Sequence, residues 1–298
     1  MSEIFEFLKK TEAGRRKKSP VPEPDFDLPV AEPDAAPAAE PVAKNAAEES
    51  LPMDVEICPA DRFDLSEASV PIKSVLNPLT MVGEQFRLLR SMLGLMQKQR
   101  GIKTVLITST APEEGKTFTS SSLAGVFAQE PGKRVVLIDA DMRKPRSGSS
   151  FGINGSSSSS GLSSVLQGSA QFENALLTAA NPEFCFLPSG PLPPNPTELL
   201  GSPMFEQTLR AAAKSFDWVI LDSPPVLSLS DTTLIAPLCD TVVLVVRANS
   251  TPARLVEDAV NRIGRDRICG IVMNRQKRIR SSHYYYQYYY HSSKKQKE

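Results

Sequence analysis

Six short runs of mostly apolar, β-branched residues constrain the fold of this chain more than any other feature. Runs that are apolar along their whole length are typical of strands buried on both faces. Helical stretches separate most of them, at residues 116–129, 202–215 and 253–264. The six runs are residues 103–109, 134–139, 184–188, 217–222, 241–246 and 268–274. Because strands that alternate with helices form βαβ units, we expect an α/β fold with a doubly wound, mostly parallel sheet.

Composition divides the chain into a core and two tails. Residues 1–75 hold a short amphipathic segment and then a Pro/Ala/Glu-rich stretch, which cannot bury enough apolar surface to fold. The first ten residues are either a docking or membrane-surface peptide or a frayed terminus. Residues 76–276 form the expected folded domain, in which the serine run at 155–161 is expected to be a mobile loop. Residues 277–298 form a basic, tyrosine-rich tail, and we expect both tails to be disordered.

Charge and cysteine content exclude several classes of protein. The 34 Lys and Arg residues balance 34 Asp and Glu residues, so overall charge indicates no nucleic acid partner. The 4 cysteines lie far apart without a C-x-x-C pair, which argues against a disulfide framework and against a zinc site. No apolar run approaches the roughly 20 residues that cross a bilayer. These features favour a cytoplasmic protein without a membrane span.

The sequence T-A-P-E-E-G-K-T at residues 110–117 follows the first apolar run and opens a helical stretch. It matches a phosphate-binding loop, although Thr110 replaces the first glycine. In such a loop the backbone N–H groups and the helix N-terminus bind phosphate oxygens, a lysine adds positive charge, and a hydroxyl binds Mg²⁺. We therefore expect the nucleotide to contact Glu114, Gly115, Lys116, Thr117 and Phe118.

Acidic residues follow two of the other apolar runs. The second run ends in I-D-A-D-M-R, which includes Asp139, Asp141 and Arg143, and the fourth ends in I-L-D-S-P-P-V, which includes Asp222. The carboxyl ends of parallel strands meet at one edge of a sheet, where open α/β folds bind ligands. Acids gathered there favour a bound Mg²⁺, although any one of them alone could cap a helix.

These three motifs resemble those of the bacterial tyrosine kinases, the BY-kinase family of capsule and exopolysaccharide systems, over roughly residues 77–276. The resemblance implies a P-loop NTPase fold, with ATP and Mg²⁺ as cofactors. It implies that Lys116, Asp139, Asp141 and Asp222 are catalytic, that Thr117, Asp139 and Asp222 organise Mg²⁺, and that Arg143 and Asn274 contact the nucleotide. Glu113 departs from the family pattern, because many members have glycine at this position.

Two further features agree with the resemblance. Glu84, Arg87 and Arg90 form E-x-x-R-x-x-R on an amphipathic helix predicted at 84–97. Alone, such a triplet is a solvated helix face; in the family it lies at the subunit interface of a ring-shaped homo-oligomer. All 6 tyrosines lie in the tail, where the resemblance implies autophosphorylation: Tyr284, Tyr285, Tyr286, Tyr288, Tyr289 and Tyr290.

The resemblance implies a protein-tyrosine autokinase that regulates polysaccharide chain length and export. Its implied partners are a separate membrane-embedded chain-length regulator, which would hold the kinase at the inner face of the plasma membrane, and a cognate tyrosine phosphatase. One alternative is an ATPase of the partition and septum-placement class, a nucleotide-dependent dimerisation switch. The tail tyrosines count against it, and so does Ala111, where that class usually has lysine. A non-enzymatic adaptor would require a broken ATP site.

Overall fold

The computed structural model of the chain describes residues 61–153 and 160–276. The expected tail at 277–298, most of the serine run and residues 1–60 lie outside this part. The described residues form one sheet of eight strands. The strands are β1 (Asp61–Phe63), β2 (Thr104–Ser109), β3 (Val135–Asp139), β4 (Leu177–Ala180), β5 (Glu183–Leu187), β6 (Trp218–Asp222), β7 (Thr241–Arg247) and β8 (Ile268–Asn274).

Helices connect most of these strands. They are α1 (Val70–Leu76), α2 (Met81–Arg100), α3 (Lys116–Ala128), α4 (Ser147–Ser150), α5 (Leu162–Leu166), α6 (Pro196–Leu200), α7 (Pro203–Ser215), α8 (Asp231–Ile235) and α9 (Ala253–Ile263). The long helix α2 begins where the Thr80 hydroxyl accepts a hydrogen bond from the Gly83 N–H at 3.1 Å, and it ends at Gly101, whose φ is +70°. A side-chain cap and a left-handed glycine are common signals at the two ends of a helix.

The strand order is β1-β4-β5-β3-β6-β2-β7-β8. Every neighbouring pair is parallel except β4 and β5, which are antiparallel. This confirms the predicted doubly wound, mostly parallel sheet. Strand β2 lies between β6 and β7, so the loop after β2 has the ends of β3 and β6 on one side and the ends of β7 and β8 on the other.

Alternate residues of the central strands enter two different cores, one on each face of the sheet. Val105 and Ile107 of β2 pack in the core that α1, α2 and α3 cover, whereas Leu106 packs with residues of α5 to α9. In the first core the Phe127 and Trp218 rings lie 4.2 Å apart. Burial on both faces explains why these strands are apolar at nearly every position.

The folded core begins earlier than the expected boundary at residue 76. Strand β1 pairs with β4, and α1 buries Ile72 and Val75 in the core with α2 and α3. The Pro/Ala/Glu-rich composition ends near Pro59, and Leu65, Ala68, Ile72 and Val75 then recur at spacings of three and four. Placing residues 61–75 in the linker was therefore wrong. Within residues 61–153 and 160–276, no helix is both long and apolar enough to cross a membrane.

Candidate active site

The loop between β2 and α3 has two residues in left-handed backbone conformations. Glu113 has φ +63° and Gly115 has φ +102°. At Gly115 an added Cβ would lie 1.9 Å from Asn274 Nδ2, so a side chain here would displace the Asn274 amide, and the positive φ would strain it further. The Gly115 carbonyl accepts hydrogen bonds from both the backbone N–H and the hydroxyl of Thr119, each at 2.9 Å. This geometry fixes the direction in which α3 leaves the loop.

Lys116 is the first residue of α3 and lies among acidic side chains. Its Nζ is 2.8 Å from Asp141 Oδ2 and 3.7 Å from Asp222 Oδ1. It also donates to the Thr117 hydroxyl at 3.4 Å. Four motif residues therefore lie together, although they come from three separate segments of the chain: Lys116, Thr117, Asp141 and Asp222.

Asp139 and Asp222 are register partners on β3 and β6, and both are buried. The Asp139 carboxylate accepts hydrogen bonds from the Asp141 N–H at 3.2 Å and from the Ser147 N–H at 3.1 Å. The Ser147 hydroxyl donates to Asp222 Oδ2 at 3.1 Å. Ser147, at the start of α4, thus supports both acids. Sequence reasoning missed it, and its position eight residues after Asp139 gives no sign of the contact.

Burial and mutual repulsion shift the pKa values of these two acids away from their ordinary range. Burial and the nearby charge of Asp222 raise the pKa of Asp139 to about 7. Burial likewise raises the pKa of Asp222, although the charge of Lys116 opposes the shift. Burial lowers the pKa of Lys116, but the charges of Asp222 and Asp141 outweigh that effect and raise the pKa above its ordinary value. The acids thus hold Lys116 in its charged form.

The donor set fits a magnesium ion bound together with a nucleotide. Among the described residues, Asp222 Oδ1 is a buried carboxylate oxygen without a hydrogen-bond partner, and the nearby Thr117 hydroxyl opposes the rise in the pKa of Asp222. Across residues 61–153 and 160–276, no three His, Cys, Asp or Glu side chains are grouped to hold a metal by themselves. Mg²⁺ usually needs only one or two carboxylates, because substrate phosphates and water complete its coordination.

Arg143 makes contacts that the sequence did not predict. Its Nε donates to Asp231 Oδ2 at 2.7 Å, and its Nη2 donates to the Thr197 hydroxyl at 2.6 Å. Burial would raise the pKa of Asp231, but hydrogen bonds from Arg143 and Thr197 outweigh it and lower the pKa. Arg143 thus joins the loop after β3 to α6 and α8. Its predicted contact with the nucleotide stays a prediction.

The end of β8 lies against the phosphate loop. The Asn274 side chain donates from Nδ2 to the Glu114 carbonyl at 2.8 Å, and its Oδ1 accepts from the Arg275 N–H at 2.8 Å. Adenine recognition by Asn274 stays a prediction, and the structure gives this side chain a contact with the loop itself. The Glu114 carboxylate is buried and accepts a hydrogen bond from the Thr251 hydroxyl. Thr251 was not predicted, and no sequence motif marks it.

The E-x-x-R-x-x-R triplet makes contacts within the subunit. Arg90 Nη1 donates to the Val126 carbonyl near the end of α3 at 2.8 Å. Arg87 Nη2 donates to the Pro78 carbonyl at 2.8 Å and pairs with Glu84 at 2.9 Å. The ring of Phe118 packs edge-on against Phe86 of α2, with centroids 5.6 Å apart. Helix α2 is therefore docked on α3, and a role for the triplet between subunits stays a prediction.

Comparison with known proteins gives consistent matches. A family model described as an AAA domain matches residues 102–265. Tyrosine-protein kinase YwqD of Bacillus subtilis is 35% identical over 206 residues, which cover 68% of this chain and 85% of that protein. Tyrosine-protein kinase Wzc of Salmonella typhimurium is 32% identical over 203 residues, and the matched region spans only 28% of its length.

A solved structure agrees with these matches. The kinase domain of the Escherichia coli tyrosine kinase ETK superposes with a TM-score of 0.64 at 31% sequence identity. The match covers 71% of this chain and 84% of that domain. The similarity therefore extends over most of the sheet and helices described above.

Proposed function

The chain belongs to the bacterial tyrosine kinase family, and on that premise we propose that it is an ATP-dependent protein-tyrosine autokinase. The observation that supports the proposal best is the convergence of Lys116, Asp141 and Asp222 beside the phosphate loop. The loop and the N-terminus of α3 offer backbone N–H groups to phosphate oxygens. Lys116 would leave Asp141 and bind the β- and γ-phosphates.

We assign Asp139, Asp222 and the Thr117 hydroxyl to magnesium. The two carboxylates are buried register partners with raised pKa values, so a cation relieves the repulsion between them. When bound, Mg²⁺ neutralises charge on the phosphates and aligns them. Ser147 keeps both carboxylates in place through its backbone N–H and its hydroxyl.

In the proposed reaction the tyrosine oxygen attacks the γ-phosphorus, the bond to the β-phosphate oxygen breaks, and ADP leaves. The tyrosine proton passes to a carboxylate, because a phenol with a pKa of about 10 is a poor nucleophile when protonated. Asp139 and Asp141 are the two candidate bases. Asp139 is needed for the metal, so we favour Asp141, which Lys116 releases when it binds the phosphates. The Lys144 N–H donates to Asp141 Oδ1 at 3.0 Å and orients it.

The substrate that we propose is the tail, with its six tyrosines at 284–286 and 288–290. From Arg275 to the last residue the chain has seven Lys or Arg residues and one Glu, so this segment is attracted to an acidic, ATP-bearing site. Each phosphate adds a charge of about −1.5 to −2 at neutral pH. Phosphorylation at several positions would therefore reverse the charge of the tail and release it.

In the cell we place this kinase in capsule or exopolysaccharide synthesis. Its partners in this proposal are a separate membrane-embedded chain-length regulator, which holds it at the inner face of the plasma membrane, and a cognate tyrosine phosphatase. We further propose that the kinase forms a ring-shaped homo-oligomer in which one subunit phosphorylates the tail of the next.

A phosphotyrosine assay tests the proposed activity. The purified full chain, dephosphorylated and incubated with ATP and Mg²⁺, should gain phosphotyrosine that mass spectrometry places at 284–290. Lys116→Met should abolish it, whereas Lys214→Met, which alters an exposed lysine on α7, should not. Steady ATP hydrolysis without phosphotyrosine in the wild type would instead support the partition-type ATPase.

A further inference from the structure

The phosphate loop contains a buried negative charge of its own. Glu114 is only 2% exposed, and both of its carboxylate oxygens are hydrogen-bonded. Oε2 accepts from the Ala111 N–H at 2.9 Å, and Oε1 accepts from the Thr251 hydroxyl. The carboxylate therefore links the first part of the loop to the segment between β7 and α9.

A carboxylate in this position opposes the binding of a polyphosphate. Like charges repel, and burying a carboxylate is costly unless hydrogen bonds satisfy it. Electrostatics alone would favour a neutral residue at position 114. The contacts of Glu114 explain its presence better, since they fix the shape of the loop.

A second contact also holds Glu114, and like the first it comes from the side of β2 on which β7 and β8 lie. The Glu114 carbonyl accepts a hydrogen bond from Asn274 Nδ2 at 2.8 Å, at the end of β8. Thr251 is anchored in turn, because its N–H donates to the Arg247 carbonyl at the end of β7 at 3.2 Å. The acids Asp139 and Asp222 lie on the opposite side of β2. The loop is thus held from one side while its other side faces the acids.

We propose that Glu114 and Thr251 are positioning residues for the nucleotide: the Thr251 hydroxyl and the Ala111 N–H hold the Glu114 carboxylate, which shapes the loop for phosphate. This inference rests on the proposed function, because it assumes that the loop binds ATP. Neither side chain touches the phosphates in this proposal. Both act through the backbone of the loop.

For one substitution, the proposal predicts a change in ATP affinity opposite to the change that electrostatics alone would give. Glu114→Ala removes a negative charge but also both hydrogen bonds, and we expect it to weaken ATP binding about tenfold. Glu114→Gln also removes the charge, yet its amide oxygen can accept from Ala111 and its NH₂ group can donate to Thr251. We expect Glu114→Gln to bind ATP at least as tightly as the wild type.

Thr251 offers a second, independent pair of variants. Thr251→Val removes the hydroxyl at nearly constant volume and should weaken ATP binding several-fold, whereas Thr251→Ser should restore wild-type binding. Thr241→Val is the matched control, since Thr241 lies at the opposite end of β7 and its hydroxyl donates to the Arg267 carbonyl at 3.2 Å. This control should not change ATP affinity.

Two measurements on the full chain test whether Glu114 and Thr251 position the loop for ATP. Calorimetric titration with ATP and Mg²⁺ gives the dissociation constants, and hydrogen exchange of the Ala111 amide without nucleotide reports on the loop directly. Exchange should be at least tenfold faster in Glu114→Ala than in Glu114→Gln. Equal exchange in these two variants, or ATP binding by Glu114→Ala or Thr251→Val as tight as that of the wild type, would overturn the proposal. Absence of ATP binding by the wild type would overturn the proposed function, and the exchange measurement would still decide whether Glu114 shapes the loop.

Discussion

Asp139 and Asp222 are register partners on adjacent parallel strands, so two carboxylates lie side by side at the carboxyl ends of the two central strands. Both are buried, and the nearby cation in the described structure is Lys116. Such a pair is costly to ionise and well suited to hold a cation. The ionised pair therefore lowers the free energy of unfolding, although the proposed activity requires it.

The first prediction concerns the pH dependence of stability. The pKa of Asp139 in the folded chain is about 7, above its ordinary value of 3.8. Its contribution to stability is therefore fully present below about pH 4 and is lost as pH rises through 7. Asp139→Asn mimics the protonated form, so it should raise the free energy of unfolding by about 1 to 3 kcal/mol at pH 8 and by much less at pH 5.

Urea unfolding of the nucleotide-free chain at the two pH values measures this effect. Asp258→Asn, at an exposed aspartate of α9, is the control and should change neither value. Equal stabilities of wild type and Asp139→Asn at pH 8 would show that Asp139 ionises like an exposed aspartate. The Asp139→Asn variant should also lose autophosphorylation.

The second prediction concerns Lys116 in the absence of ATP. Lys116→Met removes the cation that lies 2.8 Å from Asp141 and 3.7 Å from Asp222. Its loss should lower the free energy of unfolding by about 2 to 4 kcal/mol at pH 8, as for other buried charges that lose a partner. At pH 5 the loss should be smaller, because Asp139 is then largely protonated. Adding Asp139→Asn to Lys116→Met should restore part of the stability, and strictly additive effects would exclude this coupling.

The third prediction concerns Glu113, a residue with a side chain in a left-handed backbone conformation. Its φ of +63° costs a residue with a side chain about 1 to 2 kcal/mol. Glu113→Gly should therefore leave stability unchanged or raise it by up to about 1 kcal/mol, whereas Glu113→Val should lower it. Glu130→Gly is the control, since Glu130 is exposed in a turn without a positive φ, and this change should be destabilising. A lower melting temperature for Glu113→Gly than for the wild type would show that the backbone at Glu113 is not strained.

The fourth prediction concerns the contact between Arg143 and Asp231. Asp231 is buried, so Arg143→Ala leaves its carboxylate with Thr197 as the remaining side-chain donor among the described residues and should cost about 1 to 3 kcal/mol. Arg143→Lys should recover only part of the loss, because lysine lacks the planar fork. Arg210→Ala breaks an exposed ion pair with Glu206 and should cost less than about 0.5 kcal/mol. Equal losses from the Arg143→Ala and Arg210→Ala variants would mean that Arg143 does not stabilise the loop.

The strands and the central acids could be predicted from the sequence because their signals are local. A buried parallel strand is apolar throughout, and the observed β8 spans the same residues as the sixth predicted run. Strands β1 and β4 escaped prediction, since the segments D-R-F and L-T-A-A are too short to show a period. Lys116, Asp141 and Asp222 meet because topology brings the ends of parallel strands to one edge.

Contacts between loops could not be predicted in the same way. Ser147, Asp231 and Thr251 each bind a motif residue that is distant in sequence or lies in another segment. Their positions depend on how each connection packs over the sheet, which no local period encodes. Arg143 is an example: the family resemblance implied a nucleotide contact, which stays a prediction, and the bonds of its guanidinium to residues of α6 and α8 were not predicted.

The fifth prediction concerns transfer between subunits. The first tail tyrosine lies ten residues after Asn274, and ten extended residues span at most about 35 Å. Because Asn274 contacts the phosphate loop of its own subunit, this span covers both that subunit's site and the site of a neighbour, and the proposed ring selects the neighbour. A Lys116→Met chain with an intact tail should therefore be phosphorylated by a competent chain whose six tyrosines are changed to Phe. Absence of phosphotyrosine in a mixture that sedimentation shows to co-assemble would indicate transfer within one subunit.

The hydrogen bond from Asn274 to Glu114 fixes the point at which the chain leaves the sheet. The chain leaves β8 at the same edge as the phosphate loop, so in the proposed ring the tail of one subunit and the site of the next are parts of one tethered assembly. Short tethers give effective concentrations in the millimolar range. Such a kinase needs almost no intrinsic affinity for tyrosine, and a free peptide at micromolar concentration would compete poorly with the tail.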